Sequence, residues 1–173
     1  MDTLFLAASA AHGTDPGVLA QACKFLSIAL LHPAVFSVHS AEEVYRSVES
    51  VLHAHVKEAE AYGYACHALC GFFLRGEKDE RRAWVGHFLE SRTLDVALRG
   101  FRKNLRNPLA CYSFLQLLAT ASKYADVMAA PELAAVVPWM EEARKLHDTE
   151  NISKYTGRLL KDFARIGPQA KAG

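Results

Sequence analysis

The chain has 173 residues, of which 51% are hydrophobic and 23% are charged, and its formal net charge is +1. These values are typical of a soluble globular protein; they exclude a disordered chain, and the near-neutral charge does not favour nucleic acid as a partner. Four cysteines are too few for a disulfide scaffold, and no run of about 18 uncharged apolar residues is present, so we expect an intracellular, cytoplasmic protein without a membrane-spanning helix.

Helix signals dominate the first half of the chain. Asp15 stands where it can cap a helix that begins with Pro16 and ends before Pro33. Ser40 is followed three residues later by Glu43, and this pair predicts a capping box in front of the next apolar stripe. The periodicity also predicts helices over 2–11 and 41–53.

The second half continues in the same way. Apolar residues recur at helical spacing over 94–105, and Asn107 precedes Pro108 at the start of a further helix. Two more helices are predicted over 136–147 and from Glu150 to a stop at Gly167. Short helical pieces are predicted at 33–38, 81–90 and 124–135. No alternating strand pattern or Asn-Gly turn occurs, so the predicted class is all-α.

A signature of two small residues followed by Leu or Phe recurs four times. The copies begin at Ala22, Ala65, Ala110 and Thr156, at intervals of 43, 45 and 46 residues. A period of about 40–47 residues built from two or three helices is typical of HEAT and armadillo arrays. We therefore predict one domain over 1–167, with units at about 1–32, 33–75, 78–122 and 124–167 and a tail at 168–173. His12 and His147 fall at matching points of the repeat, which predicts a capping or packing role.

The stretch ELAAVVPWMEEARKLHDTENISKYTGRLLKDFARIG resembles an armadillo repeat, and AWVGHFLESRTLDVALRGFRKNLRNPLACYSFLQLLA resembles a more divergent one. The resemblance implies a right-handed α-α superhelix of about four repeats. It also implies a non-enzymatic protein-protein interaction module, an adaptor or scaffold that binds a peptide or one helix of a partner on its concave face.

The resemblance also predicts where the partner would bind. Armadillo proteins of nuclear import carry a Trp, and an Asn four residues later, in successive units. Here the Trp slots hold Lys24, His67, Tyr112 and Arg158, and the Asn slots hold Ile28, Gly71, Gln116 and Asp162. That ladder is therefore absent, and a different set of side chains is expected to face the partner. We call this set the side-chain row: Lys24, Tyr64, His67, Tyr112, Gln116, Arg158 and Asp162.

The stretch HAHVKEAEAYGYACHALC, from His53 to Cys70, is rich in potential metal ligands. The separation of His53 and His55 is too short for a zinc-finger spacing, and Cys66 occupies the small-residue slot that Cys23 and Cys111 occupy in other copies. We expect these three cysteines to be buried and unpaired, with no metal site. Signatures of nucleophilic, nucleotide-binding and zinc enzymes are missing, so neither a catalytic residue nor a cofactor is predicted.

A basic stripe of Arg99, Arg102, Lys103 and Arg106 has two interpretations. It could meet phosphate or an acidic partner, or it could be the solvated face of an amphipathic helix on the convex side, where Arg102→Ala would leave protein binding unchanged. The alternative function is a helical-repeat nucleic-acid protein of the HEAT-like DNA glycosylase type. It would need a basic concave face with a buried carboxylate, for which Lys24, Arg158 and Asp162 are the available residues. Trp84 and Trp139 lie on apolar faces and are predicted to be core residues.

Overall fold

The computed structural model describes residues 2–32, 40–75, 77–124, 127, 130, 133 and 135–166. Within these ranges the chain forms nine α-helices and no strand, which confirms the all-α class. None of the described helices is long and apolar enough to cross a membrane. The helices are α1 Asp2–His12, α2 Pro16–Ala29, α3 Ala41–Ala54, α4 Ala59–Leu74, α5 Lys78–Glu90, α6 Thr93–Lys103, α7 Pro108–Ala121, α8 Val136–Leu146 and α9 Glu150–Ile166.

The predicted caps are present at the starts of three helices. Asp15 Oδ1 accepts hydrogen bonds from the backbone of Gly17 (2.9 Å) and Val18 (3.2 Å) at the start of α2. Ser40 Oγ accepts from the Glu43 amide at 3.1 Å, and Asn107 Oδ1 accepts from the Ala110 amide at 3.0 Å. These bonds satisfy amides that have no partner inside the helix and so fix where each helix begins.

Some boundaries differ from the prediction. α5 begins at Lys78 rather than Arg81, and α6 ends at Lys103, so that Leu105 and Arg106 lie in the turn that follows it. The predicted piece at 33–38 and the tail lie outside the described residues, and only part of 124–135 is described. The apolar stripe of a helix often continues into the turn that follows it, so periodicity alone places the end of the helix one or two residues too late.

The helices that carry the repeated signature are neighbours in chain order. α2 packs against α4, α4 against α7, and α7 against α9. Each of them also packs against the helix before it, and α1, α3 and α6 are neighbours on the other side. The small-residue slots make this packing close, because Ala65, Cys66, Ala110 and Cys111 are fully buried.

Aromatic rings fill the core between the two sides. Tyr45 of α3 stacks on Trp84 of α5 with ring centroids 5.0 Å apart, so Trp84 is a core residue as predicted. Phe101 of α6 stacks on Phe114 of α7 at 4.4 Å. Trp139 is only half-buried, and the Arg102 guanidinium lies over its ring. Buried rings of this size dominate the apolar area removed from water.

A ladder of hydrogen bonds joins successive inter-helix turns. His55, Asn104 and His147, one residue after the ends of α3, α6 and α8, each donate a side-chain N–H to a backbone carbonyl in the preceding inter-helix turn. The acceptors lie 42, 48 and 42 residues earlier in the chain. We call these bonds the turn ladder; they run from His55 Nε2 to Gly13 O (3.1 Å), from Asn104 Nδ2 to Val56 O (2.9 Å) and from His147 Nε2 to Leu105 O (2.7 Å). His147 therefore has the packing role predicted for it, whereas His12, in the first turn, is exposed.

All four cysteines are buried and unpaired, which confirms the prediction for Cys23, Cys66 and Cys111. Burial raises the pKa of each of these three thiols to about 12, because a thiolate would lose its hydration in the apolar interior.

We expect native-state thiol titration at pH 8 to label these three cysteines only as fast as the protein opens, since the thiolate is the reactive form and the sulfur atoms are inaccessible. In denaturant all four thiols should react at once, and this amplitude gives the number of thiols against which the native-state labelling is compared. Rapid labelling of any of the three in the folded chain would contradict the packing described here.

Candidate functional site

The side-chain row lies on the four helices that carry the repeated signature. Lys24 belongs to α2, Tyr64 and His67 to α4, Tyr112 and Gln116 to α7, and Arg158 and Asp162 to α9. Most of these side chains are half-buried, and Arg158 is exposed. Because the four helices are neighbours in this order, the row crosses the whole layer.

At one end of the row, Lys24 lies over the ring of Tyr64. The Nζ atom is 5.7 Å from the ring centroid, a cation–π distance that joins α2 to α4. The ammonium carries three N–H donors, which a carboxylate or a carbonyl oxygen can accept. This end of the row therefore offers a cation beside a flat aromatic surface.

Three rings form the middle of the row. His67 and Tyr112 meet edge to face with centroids 5.9 Å apart, and Tyr112 meets Tyr155 of α9 at 5.9 Å. Burial raises the pKa of the Tyr112 phenol, and the Tyr155 hydroxyl adds to this effect. Each pair of neighbouring helices in the layer is thus bridged by an aromatic contact, which makes a continuous strip from α4 to α9.

Tyr155 is a row residue that the sequence reasoning did not single out. It stands three residues before Arg158, as Tyr64 stands three residues before His67. Tyr64 and Tyr155 thus occupy equivalent positions, and the choice of Tyr64 could have indicated Tyr155. The pattern is incomplete, because the equivalent positions of α2 and α7 hold Gln21 and Leu109.

Gln116 presents a buried acceptor within this strip. Its Oε1 atom lies beside the imidazole of His67, and this contact partly offsets the effect of burial on the pKa of His67. The oxygen is closed off from solvent, so it contributes to the packing of the strip. The accessible surface of the strip is therefore mainly aromatic.

At the far end, Arg158 Nε lies 3.8 Å from Asp162 Oδ2. The guanidinium and the carboxylate are about half and a quarter exposed, so water screens their attraction and the pair contributes little stability. The Arg158 guanidinium keeps donors that can bind a carboxylate or a phosphate. The row therefore has a cation at each end and rings between them.

The potential metal ligands of the stretch from His53 to Cys70 separate in the structure. His53 is exposed, His55 bonds the Gly13 carbonyl in the turn ladder, and Cys66 and Cys70 are buried. Cys70 Sγ lies 3.3 Å from Thr120 Oγ1 of α7, across the helix interface. Among the described residues, no group of three or more His, Cys, Asp or Glu side chains is arranged to hold a metal ion.

The basic stripe has structural partners. Arg102 lies over Trp139, with its Cζ atom 5.4 Å from the ring centroid, and so covers the half-buried indole of α8. Arg99 lies 4.0 Å from Asp95 on the same helix. Arg102→Ala is therefore a poor control for binding, because it uncovers an indole; the exposed neighbour Lys103 is a better one.

The chain matches no protein-family model, no curated protein sequence and no solved structure.

The His67 imidazole gives the site a pH dependence. Burial lowers its pKa, and the Gln116 side chain partly offsets this effect. Because the unfolded chain holds this proton more tightly than the folded chain, protonation favours unfolding. The free energy of unfolding should decrease as the pH falls through the ordinary histidine pKa of about 6.5, and the decrease should end only below the lower pKa of the folded state.

Urea titrations of the wild type and His67→Gln between pH 7.5 and 5 measure this contribution. The variant should lose less stability than the wild type over that interval, and His53→Gln on the surface controls for the loss of an imidazole. Parallel pH curves for the wild type and His67→Gln would show that His67 is not the group responsible.

Proposed function

We propose that this chain is an armadillo-like repeat array that acts as a non-enzymatic protein-binding module, and that a partner binds along the side-chain row. The signature helices lie side by side in chain order, and the bonds of the turn ladder span 42, 48 and 42 residues, close to the 43, 45 and 46 residues between copies of the signature. Both features support a stacked array of equivalent units, the kind of scaffold that presents one long surface to a partner.

The continuous contact of half-buried rings along the row is the observation that carries the binding proposal. His67, Tyr112 and Tyr155 bridge α4, α7 and α9, and each ring keeps part of its surface open to solvent. Aromatic rings and arginine are also the side chains that most often anchor interfaces, and Tyr112 and Arg158 lie on either side of the α7–α9 junction.

The size of the row favours a short segment. Neighbouring helix axes in such a layer lie about 8–10 Å apart, so four helices span roughly 24–30 Å. An extended chain covers this length with about eight residues at about 3.3 Å each. Lys24 and Arg158 at the two ends favour acidic residues near both ends of that segment.

Selection from a library of random peptides of this length tests the proposal. Enriched peptides should lose binding by about 1–3 kcal/mol, roughly 5–150-fold in Kd, when Arg158 is replaced by alanine. Tyr112→Ala should have an effect of this size too, but it also removes two ring contacts, so its thermal unfolding must be measured in parallel.

Lys103→Ala on α6 is the matched control for the loss of a surface cation. It should leave peptide affinity and thermal stability unchanged. A failure of the library to yield any binder, or peptides that respond to Lys103 and not to the row, would contradict the proposal.

The nucleic-acid alternative has one observation in its favour. Lys154, Arg158, Lys161 and Arg165 line one side of α9 around a surface depression of about 660 Å³. However, the nearest carboxylate, Asp162, is partly exposed and lies beside Arg158, which is unlike the buried carboxylate that a glycosylase site needs. Salt-dependent anisotropy with labelled DNA separates the functions: binding that falls steeply with salt would favour the alternative.

A further inference from the structure

The two ends of the helical layer differ in polarity. Among the described residues, most of the large hydrophobic side chains that are exposed lie at the α1–α2 end. They are Leu4 (70% exposed), Phe25 (58%), Ile28 (54%) and Leu31 (68%). Single exposed apolar side chains are ordinary, but four of them on one edge form a contiguous patch of the kind that marks an interaction site. We call these four residues the apolar end.

The apolar end contains a groove and a ridge. The groove lies between α1 and α2 and has a volume of about 400 Å³. The described residues that line it are all apolar: Leu4, Phe5, Ala8, Val18, Ala22 and Phe25. The ridge consists of Ile28 and Leu31, one and two turns further along α2 and just past its end. Phe25 lies where the groove and the ridge meet.

Formal charge is nearly absent from this part of the chain. α1 and α2 together contain two charged side chains: Asp2, which is buried, and Lys24, which lies over Tyr64. α9, at the other end of the layer, contains six charged side chains in 17 residues. A charged partner would gain nothing at the apolar end, so the surface that fits it is itself apolar and uncharged.

We propose that the apolar end is a homodimer interface in which two copies of this chain pack α2 against α2 about a two-fold axis. In this arrangement the Ile28–Leu31 ridge of one copy lies over the groove of the other, and the two Phe25 rings lie nearest the axis. An isologous contact needs one self-complementary patch, and a groove beside a ridge on the same face provides it.

Head-to-tail stacking does not fit the chain. It would bring the apolar end against the outer side of α9, where Lys154, Arg158, Lys161 and Arg165 would lose water without gaining partners. A second copy in the head-to-head orientation covers apolar surface with apolar surface. The row residues on α4, α7 and α9 lie outside the apolar end and stay accessible in the dimer, whereas Lys24 borders the interface. The inference goes beyond the proposed partner binding.

Light scattering after size-exclusion chromatography, over a range of protein concentrations, tests the proposal. The full chain should approach twice its mass of 19.1 kDa as the concentration rises. Leu4→Glu and Phe25→Glu should each shift it to the monomer, because the two-fold axis brings every introduced carboxylate into an apolar interface twice. Both side chains are exposed in the single chain, so both variants should fold, as helical circular dichroism verifies.

Leu146→Glu is the matched control. Leu146 is a leucine of α8 that is 48% exposed and lies outside the apolar end, so this variant should dimerise like the wild type. A wild-type chain that stays monomeric throughout the range would overturn the proposal. So would a dimer that survives both glutamates at the apolar end, or one that only Leu146→Glu disrupts.

Discussion

Replacing Gly100 by alanine is expected to lower the free energy of unfolding by about 2–4 kcal/mol, although alanine is the better helix former. A Cβ atom at Gly100 would lie 2.6 Å from Cδ2 of Tyr62 and closer still to its Cε2. The ring cannot yield easily, because Tyr62 is fully buried and its hydroxyl donates a 2.7 Å hydrogen bond to the Ala97 carbonyl. The added methyl must therefore break that bond or separate α4 from α6.

Gly86 provides the control for this substitution. It also lies inside a helix, α5, but a Cβ atom there would meet nothing within 4 Å. Gly86→Ala should raise the stability by about 0.5–1 kcal/mol through helix propensity alone. Urea unfolding of both variants decides the matter, and equal effects at the two glycines would mean that Tyr62 does not pack against α6 as described.

Asn104→Ala is expected to lower the free energy of unfolding by about 2–3 kcal/mol, because it removes the middle bond of the turn ladder. Asn104 is buried, and its Nδ2 atom donates to the Val56 carbonyl at 2.9 Å and to the Gly100 carbonyl at 2.8 Å. Alanine leaves the Val56 carbonyl without this donor, where the α3–α4 turn meets the turn after α6. Amide hydrogen exchange should consequently accelerate most in these two turns.

Asn151→Ala, on the exposed side of α9, is the control for replacing an asparagine by alanine. It should change the free energy of unfolding by less than about 0.5 kcal/mol. If Asn104→Ala were equally mild, the bonds of the turn ladder would not contribute to the stability of the fold.

Local signals made most of the helices predictable from the sequence. The cap residues Asp15, Ser40 and Asn107 act within three residues of themselves, and each fixed a helix start correctly. The end of α6 was placed too late, since Leu105 continues the apolar stripe of the helix although it lies in the following turn. Periodicity reports which side chains are buried, and a turn can bury an apolar side chain as well as a helix can.

The candidate site was predictable in its register but not in its contacts. Repeat spacing indicated the helix and the slot of each row residue, because equivalent positions of a repeat are expected to share one orientation. The ring contacts of Tyr112 with His67 and Tyr155 depend on side-chain rotamers and on helix separation, which no local pattern encodes. Arg102 illustrates the same limit: its contact with Trp139 joins residues 37 positions apart, and the sequence alone made it an ordinary solvated arginine.

The turn ladder joins the turns that lead into α4, α7 and α9, so it fixes the spacing at which these helices follow one another. If a segment binds across these helices as proposed, its residues, which repeat at a fixed rise, must match that spacing. Under this proposal, a change at His55, Asn104 or His147 alters the choice of segment from a distance, because these residues lie in the turns and not in the side-chain row.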